Sequence, residues 1–87
     1  MDLNLRDHIA VVTGGAGGIG RAIARGFARE GASVAVWDRG PEAEAVASEI
    51  ASEFGVKAIG IAVDVTDEAA TRQAVVDTIA RLGPIDH

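Results

Sequence analysis

Thr13-Gly14-Gly15-Ala16-Gly17-Gly18-Ile19-Gly20 follows the apolar run Ile9-Ala10-Val11-Val12 and precedes a segment with helical periodicity. A strand that runs through glycines into a helix is a natural receptor for a diphosphate. The first turn of a helix offers N–H groups without partners and about half a positive charge, and residues lacking side chains let an anion approach the backbone. The cluster has two registers. Gly15, Gly17 and Gly20 fit the short pattern G-x-G-x-x-G, whereas Gly14, Gly18 and Gly20 fit the longer and more specific T-G-x-x-x-G-x-G. Five of the seven residues from Gly14 to Gly20 are glycine, an entropic cost that a mere flexible turn does not require. A Walker-type phosphate loop is excluded, because Arg21-Ala22 stands where that loop needs a lysine and a magnesium-binding hydroxyl.

Working outward, a second apolar run, Val34-Ala35-Val36-Trp37, ends in Asp38. A dinucleotide-binding unit places an acid roughly 20 residues beyond its glycines to accept hydrogen bonds from the adenosine ribose. Asp38 takes that role, with a solvated strand-end carboxylate as the plain alternative. The same carboxylate repels a 2′-phosphate. Two like charges ~4 Å apart repel by about 1 kcal/mol in water and about 4 kcal/mol in partly buried settings, a roughly five-fold to thousand-fold preference for NAD over NADP. Arg39 is the counterweight, able to meet a phosphate or to stack on adenine. Asp64-Val65 closes a third apolar run beside the same crevice. Asp64 either accepts from the adenine amino group, with Val65 against the ring, or favours the N-terminus of the following helix. The cofactor-binding set is thus Gly14, Gly17, Gly18, Ile19, Gly20, Asp38, Arg39, Asp64 and Val65.

The periodicities define a β-α-β-α-β-α alternation. Strands are expected over about His8 to Thr13, Ser33 to Trp37 and Lys57 to Val63. The first helix, from about Gly18 to Glu30, has Ile19, Ala22, Ile23, Gly26 and Phe27 at the spacing of one buried face, with Gly31 as its stop. The second begins near Pro41, carries Glu42 and Glu44 at its positive end and turns Ala43, Val46, Ala47, Ile50 and Phe54 inward before Gly55. The third is capped by Thr66, holds Asp67 and Glu68 in its first turn, and faces inward with Val75, Ile79 and Leu82. Gly83-Pro84 ends it, and Ile85-Asp86-His87 leads into a fourth strand. Strands alternating with helices imply parallel pairing and right-handed crossovers. The expected fold class is α/β, a three-layer Rossmann-type half-unit over residues 1–87, with strand order 3-2-1 and a truncated fourth strand beside the first.

The totals bound the function. A chain of 87 residues that is 48% hydrophobic is one small domain. It has no cysteine, which excludes disulfides and thiolate metal sites, and no metal site is expected. A net charge of −5 argues against nucleic acid as partner. No uncharged apolar stretch approaches the ~20 residues that span a bilayer, and the first residues lack a signal-peptide core, so a cytoplasmic location without membrane contact is expected.

These residues resemble the short-chain dehydrogenase/reductase family along the whole chain. Leu5-Arg6-Asp7-His8-Ile9-Ala10-Val11-Val12-Thr13-Gly14-Gly15 looks like that family's opening strand. Gly14, Gly18, Ile19 and Gly20 match its glycine motif, Asp38 its mark of NAD preference and Asp64-Val65 its adenine-contacting pair. Gly83-Pro84-Ile85-Asp86 resembles the approach to its fourth strand. The resemblance implies hydride transfer between NAD and a small alcohol or ketone in a full-length parent. It also implies an Asn-Asn-Ala-Gly strand end, then a catalytic asparagine, a serine and a Tyr-x-x-x-Lys pair. None is present: the chain has no tyrosine, and its lysine, Lys57, precedes the third strand. No catalytic residue is therefore assigned, and the 87 residues alone are expected to be inactive, since a positioned acid contributes ~10²–10⁴-fold. Two other readings stand beside this one. The first is a stand-alone or engineered nucleotide-binding module that self-assembles without turnover. The second is half of an S-adenosylmethionine methyltransferase, against which Thr13 and the long Gly14-to-Gly18 spacing count. An unpaired strand edge and a sparsely covered sheet face predict self-association.

Overall fold

The computed structural model describes residues 8–14 and 17–83. The elements are β1 (Ile9–Thr13), α1 (Gly18–Arg29), β2 (Ser33–Asp38), α2 (Glu42–Phe54), β3 (Ala58–Ala62) and α3 (Glu68–Leu82). The fourth strand expected at Ile85-Asp86-His87 lies outside the described residues, as do Pro84, Gly15 and Ala16. The three strands are parallel in the order β1-β2-β3, which is the expected 3-2-1 seen from the other side. Ile9 pairs with Ser33 and Thr13 with Trp37, while Val34 pairs with Ala58 and Asp38 with Ala62. This register sets the carboxyl ends of all three strands along one edge.

β2 is the central strand, and Val34, Ala35, Val36 and Trp37 are all buried, as a parallel strand covered on both faces must be. Its side chains alternate between two cores. Val34 and Val36 join Val12 beneath Ala24 and Ala28 of α1 and beneath Ala43, Val46, Ala47 and Ile50 of α2. Ala35 and Trp37 join Ile59 and Val63 beneath Ala74 of α3. α1 and α2 thus cover one face and α3 the other, giving the three layers. α2 lies directly on β3: a Cβ on Gly60 would overlap the backbone of Ala43 and Glu44. Among the described residues, no helix is long and apolar enough to cross a membrane.

Two helix faces differ from expectation. In α1 the buried residues are Ala24 and Ala28, with Phe27 packed partly against them. Ile19 is 82% exposed and Ile23 48% exposed, and Ala22 is also exposed. The small side chains turn inward because α1 must sit close to the sheet and to α2 together. In α3, Ala74 and Thr78 are buried, Val75 and Leu82 pack at the margin, and Ile79 is exposed. Trp37 is the reason. Its bulk leaves room for only small residues opposite, and its indole N–H requires an acceptor, which the Thr78 hydroxyl supplies at 3.2 Å. The cap of α3 is also displaced by one residue. Asp67, not Thr66, accepts from the Ala70 amide, at 3.1 Å.

Candidate functional site

Three connections meet at the carboxyl edge of the sheet, where ligands of open α/β folds bind. They follow β1, β2 and β3, and backbone hydrogen bonds continue the strand register into them. The Gly14 amide donates to the Trp37 carbonyl at 2.7 Å, and the Val63 amide donates to the Asp38 carbonyl at 2.7 Å. The glycine turn, Asp38 and the residues after β3 are therefore held on one frame.

Gly14 adopts a left-handed backbone, φ 66°, which favours glycine there. Its carbonyl accepts from the Gly17 amide at 3.2 Å, and the Gly17 carbonyl accepts from Arg21 at 2.7 Å to open α1. No side chain caps α1, and its first turn holds no acid. The other helices begin differently: α2 has Glu42 and Glu44 in its first turn, and α3 has the Asp67 cap and Glu68. The positive end of α1 thus has no carboxylate of its own helix to balance it. A Cβ on Gly18 would meet nothing within 4 Å, and one on Gly17 only the Gly14 carbonyl oxygen at an ordinary 3.5 Å. Internal packing does not demand glycine at either position, although glycine within a helix costs roughly 0.5–1 kcal/mol relative to alanine. The surface in front of these uncapped helix amides has the polarity a diphosphate requires. Ile19 stands exposed at its rim, and Gly20 lies in the same first turn.

Asp38 is half-buried at the end of β2, and its Oδ1 accepts from the Arg39 amide at 2.7 Å. The Arg39 guanidinium is directed to Asp64, with Nη2 3.4 Å from Oδ2. Asp64 is fixed at its other oxygen, where Oδ1 accepts from the Thr66 hydroxyl at 2.6 Å and the Thr66 amide at 2.9 Å. The Thr66 hydroxyl and then its amide hold the Asp64 carboxyl below its ordinary 3.8, against an opposing effect of burial, and the Arg39 charge adds the smallest lowering. Val65 is 48% exposed beside it, its carbonyl accepting from the Thr71 hydroxyl at 3.3 Å. Asp38, Arg39 and Asp64 are therefore linked by hydrogen bonds. Thr66, read from the sequence as a helix cap, is instead the anchor of Asp64. The Asp-x-Thr spacing is the local signal for such a turn.

A cavity of about 410 Å³ opens at the opposite edge, between Ile9, Ser33, Lys57 and Leu82 near the strand starts. It lies away from the glycine turn and from both acids. A second, of about 280 Å³, flanks the connection after Asp38, between Gly40, Pro41, Glu44 and Ala62.

Comparison with known proteins agrees with this geometry. Residues 8–87 match the short chain dehydrogenase family. The chain is 44% identical over 84 residues to a sorbitol dehydrogenase of Cereibacter sphaeroides, covering 97% of this chain and 32% of that protein. It is 55% identical over 76 residues to the uncharacterized oxidoreductase YxjF of Bacillus subtilis, covering 86% of this chain and 28% of that one. In three dimensions it superimposes on L-sorbose reductase of Gluconobacter frateurii, solved with NADPH and L-sorbose, with a TM-score of 0.91 and 34% identity. That match covers 99% of this chain and 33% of the reductase. The chain spans a quarter to a third of the length of these relatives. On its matched residues, its fold and its uncapped glycine turn, the chain belongs to the short-chain dehydrogenase family.

Proposed function

We propose that these residues form the NAD-binding part of an oxidoreductase that moves a hydride between NAD and an alcohol or ketone in the whole protein. The amides of Gly18, Ile19 and Gly20, set by the turn through Gly14 and Gly17, hold the diphosphate. Asp38 accepts from the adenosine ribose hydroxyls. Asp64 and Val65 border the adenine, and Arg39 lies across its outer side. When bound, the nicotinamide supplies the hydride chemistry, while the residues described here bind and orient its adenosine half. The relatives named as a sorbitol dehydrogenase and an L-sorbose reductase are consistent with an alcohol or ketone substrate.

The observation that carries NAD rather than NADP is the position of Asp38, half-buried at the strand end with its carboxylate turned to the Arg39 amide. A dianionic phosphate on the ribose would meet that charge. NADP is the second reading, favoured by the adjacent Arg39 and by the NADPH held in the Gluconobacter frateurii relative. Calorimetric titration of NAD and NADP decides between them. NAD is expected to bind more tightly, by at least about five-fold, the weak limit of charge repulsion at ~4 Å. Asp38→Asn should weaken NAD and narrow the gap. Tighter binding of NADP to the native protein would refute the preference, and equal loss of both cofactors in Asp38→Asn would remove Asp38 as its source.

A further inference from the structure

The connection after β2 contains one feature that cofactor binding alone does not explain. Arg39 contributes to the site in two opposite senses. Its backbone amide fixes Asp38 Oδ1 at 2.7 Å, which aims the carboxylate that recognises a ribose diol. Its guanidinium is the kind of group that would recognise a 2′-phosphate at the same place. The side chain is 79% exposed, yet it lies 3.4 Å from Asp64 Oδ2, on the connection that follows β3. Asp64 is a rigid holder rather than a wandering surface acid, because Thr66 grips its other oxygen with both hydroxyl and amide. It stays ionised throughout the neutral range, since those same bonds depress its proton affinity.

We propose that Asp64 is a positioning residue for cofactor selectivity, drawing the Arg39 guanidinium toward β3 so that this cation is withheld from a phosphate on the ribose beside Asp38. This rests on the nucleotide-binding reading given above. Asp38, Arg39 and Asp64 together carry one excess negative charge. Neutralising Asp64 releases the arginine. Selectivity is then set by Asp38 together with the pair of residues 39 and 64.

The test is a double-mutant cycle read by calorimetry with NAD and NADP, which differ only in the 2′-phosphate, at fixed low salt. Four proteins are compared: native, Asp64→Asn, Arg39→Gln and the double variant. Asp64→Asn should move the NAD-to-NADP affinity ratio toward NADP by about two- to five-fold, the scale of an exposed ion pair. The move should vanish when residue 39 is glutamine. Asp64→Glu, which keeps the charge, should retain most of the native ratio. These side chains are exposed at the surface, and thermal melts of each variant confirm that folded proteins are compared. An equal shift with and without Arg39 overturns the proposal, because Asp64 would then act on the phosphate directly. No shift in Asp64→Asn overturns it too. If the native protein binds neither cofactor, the nucleotide-binding reading falls and takes this inference with it.

Discussion

At Gly18 the demands of the fold and those of the proposed ligand can be told apart. It is the first residue of α1, its φ is not positive, and a side chain there would meet nothing within 4 Å. Alanine at this position should therefore leave the fold intact and raise stability by up to about 1 kcal/mol, through better helix propensity and a less flexible unfolded chain. The same methyl group stands where a diphosphate would rest on the helix amides. Gly18→Ala should weaken NAD about tenfold or more, equivalent to about 1.4 kcal/mol. Denaturant unfolding and calorimetry on the same preparation check both halves. A variant that is destabilised without ligand, or that binds NAD as the native protein does, contradicts the assignment. Asp64 offers a second residue-scale test, in pH. Its folded pKa lies below the ordinary 3.8, so folding favours the charged form. That contribution is complete above the unfolded value and disappears as pH falls through the lower folded one. The stability difference between native protein and Asp64→Asn should be constant at about pH 5 to 7 and shrink below 3.8. A difference that is unchanged in acid would show that Asp64 gains nothing from Thr66 and Arg39. At this scale the sequence is legible where a residue's position follows from order along the chain. Gly14, Gly18 and Asp38 declare themselves because a strand-turn-helix-strand path places them automatically. The bond from Arg39 to Asp64 was not legible, because it joins connections whose closeness depends on β2 and β3 being neighbours.

Among the elements, α2 was read correctly and α1 only in its limits. Ala43, Val46, Ala47 and Ile50, all at the inward spacing, are the buried residues of α2, and Phe54 packs partly against them, so periodicity and packing agree. α1 has apolar residues on two sides, and the bulkier pair, Ile19 and Ile23, is the exposed one. Hydrophobicity ranks isoleucine above alanine, but a helix wedged against both a sheet and another helix selects for small volume. The same contact explains the charged side of α1. Arg21 pairs with Glu49, and Arg25 pairs with Glu53 while lying 5.2 Å from the Phe54 ring centre. These partners are 28 positions apart and have no signature in local sequence. Exposed pairs of this kind contribute about 0.2–1 kcal/mol each, enough to fix how α1 lies on α2 but not to hold the fold. The closest approach is that of α2 to β3 at Gly60. Gly60→Ala would drive a methyl group into the Ala43 carbonyl and the Glu44 amide, and backbone cannot swing aside as a side chain does. A loss of about 2–3 kcal/mol is expected, the upper part of the range for overpacking. Gly26→Ala, in open space on α1, is the matched control and should stabilise by about 0.4–1 kcal/mol. Equal melting temperatures for the two variants would show that α2 is free to lift from β3.

At the scale of the molecule, the parallel register converts three local motifs into one edge, and it also leaves apolar surface uncovered. Among the described residues, β1 is the outer strand of the sheet on one side. Ile19 and Ile23 on α1 are exposed, as are Val76 and Ile79 on α3, with Ile79 45% accessible. Single exposed apolar residues are ordinary on a protein surface. Here they lie on helices that cover the sheet from opposite faces, and contiguous apolar surface favours association. The 87 residues on their own are therefore expected to associate, or to add a strand from another chain. A small domain buries a modest share of its surface and gains most from any contact that covers more. Sedimentation of this polypeptide at high micromolar concentration should show dimers or larger species that dissociate on dilution. Ile23→Glu together with Ile79→Glu should return it to monomer without loss of helix content, since neither side chain is in either core. A compact monomer at every concentration would mean that these isoleucines are as inert as scattered surface residues elsewhere. The three-stranded unit would then be stable through its two alanine-rich cores alone.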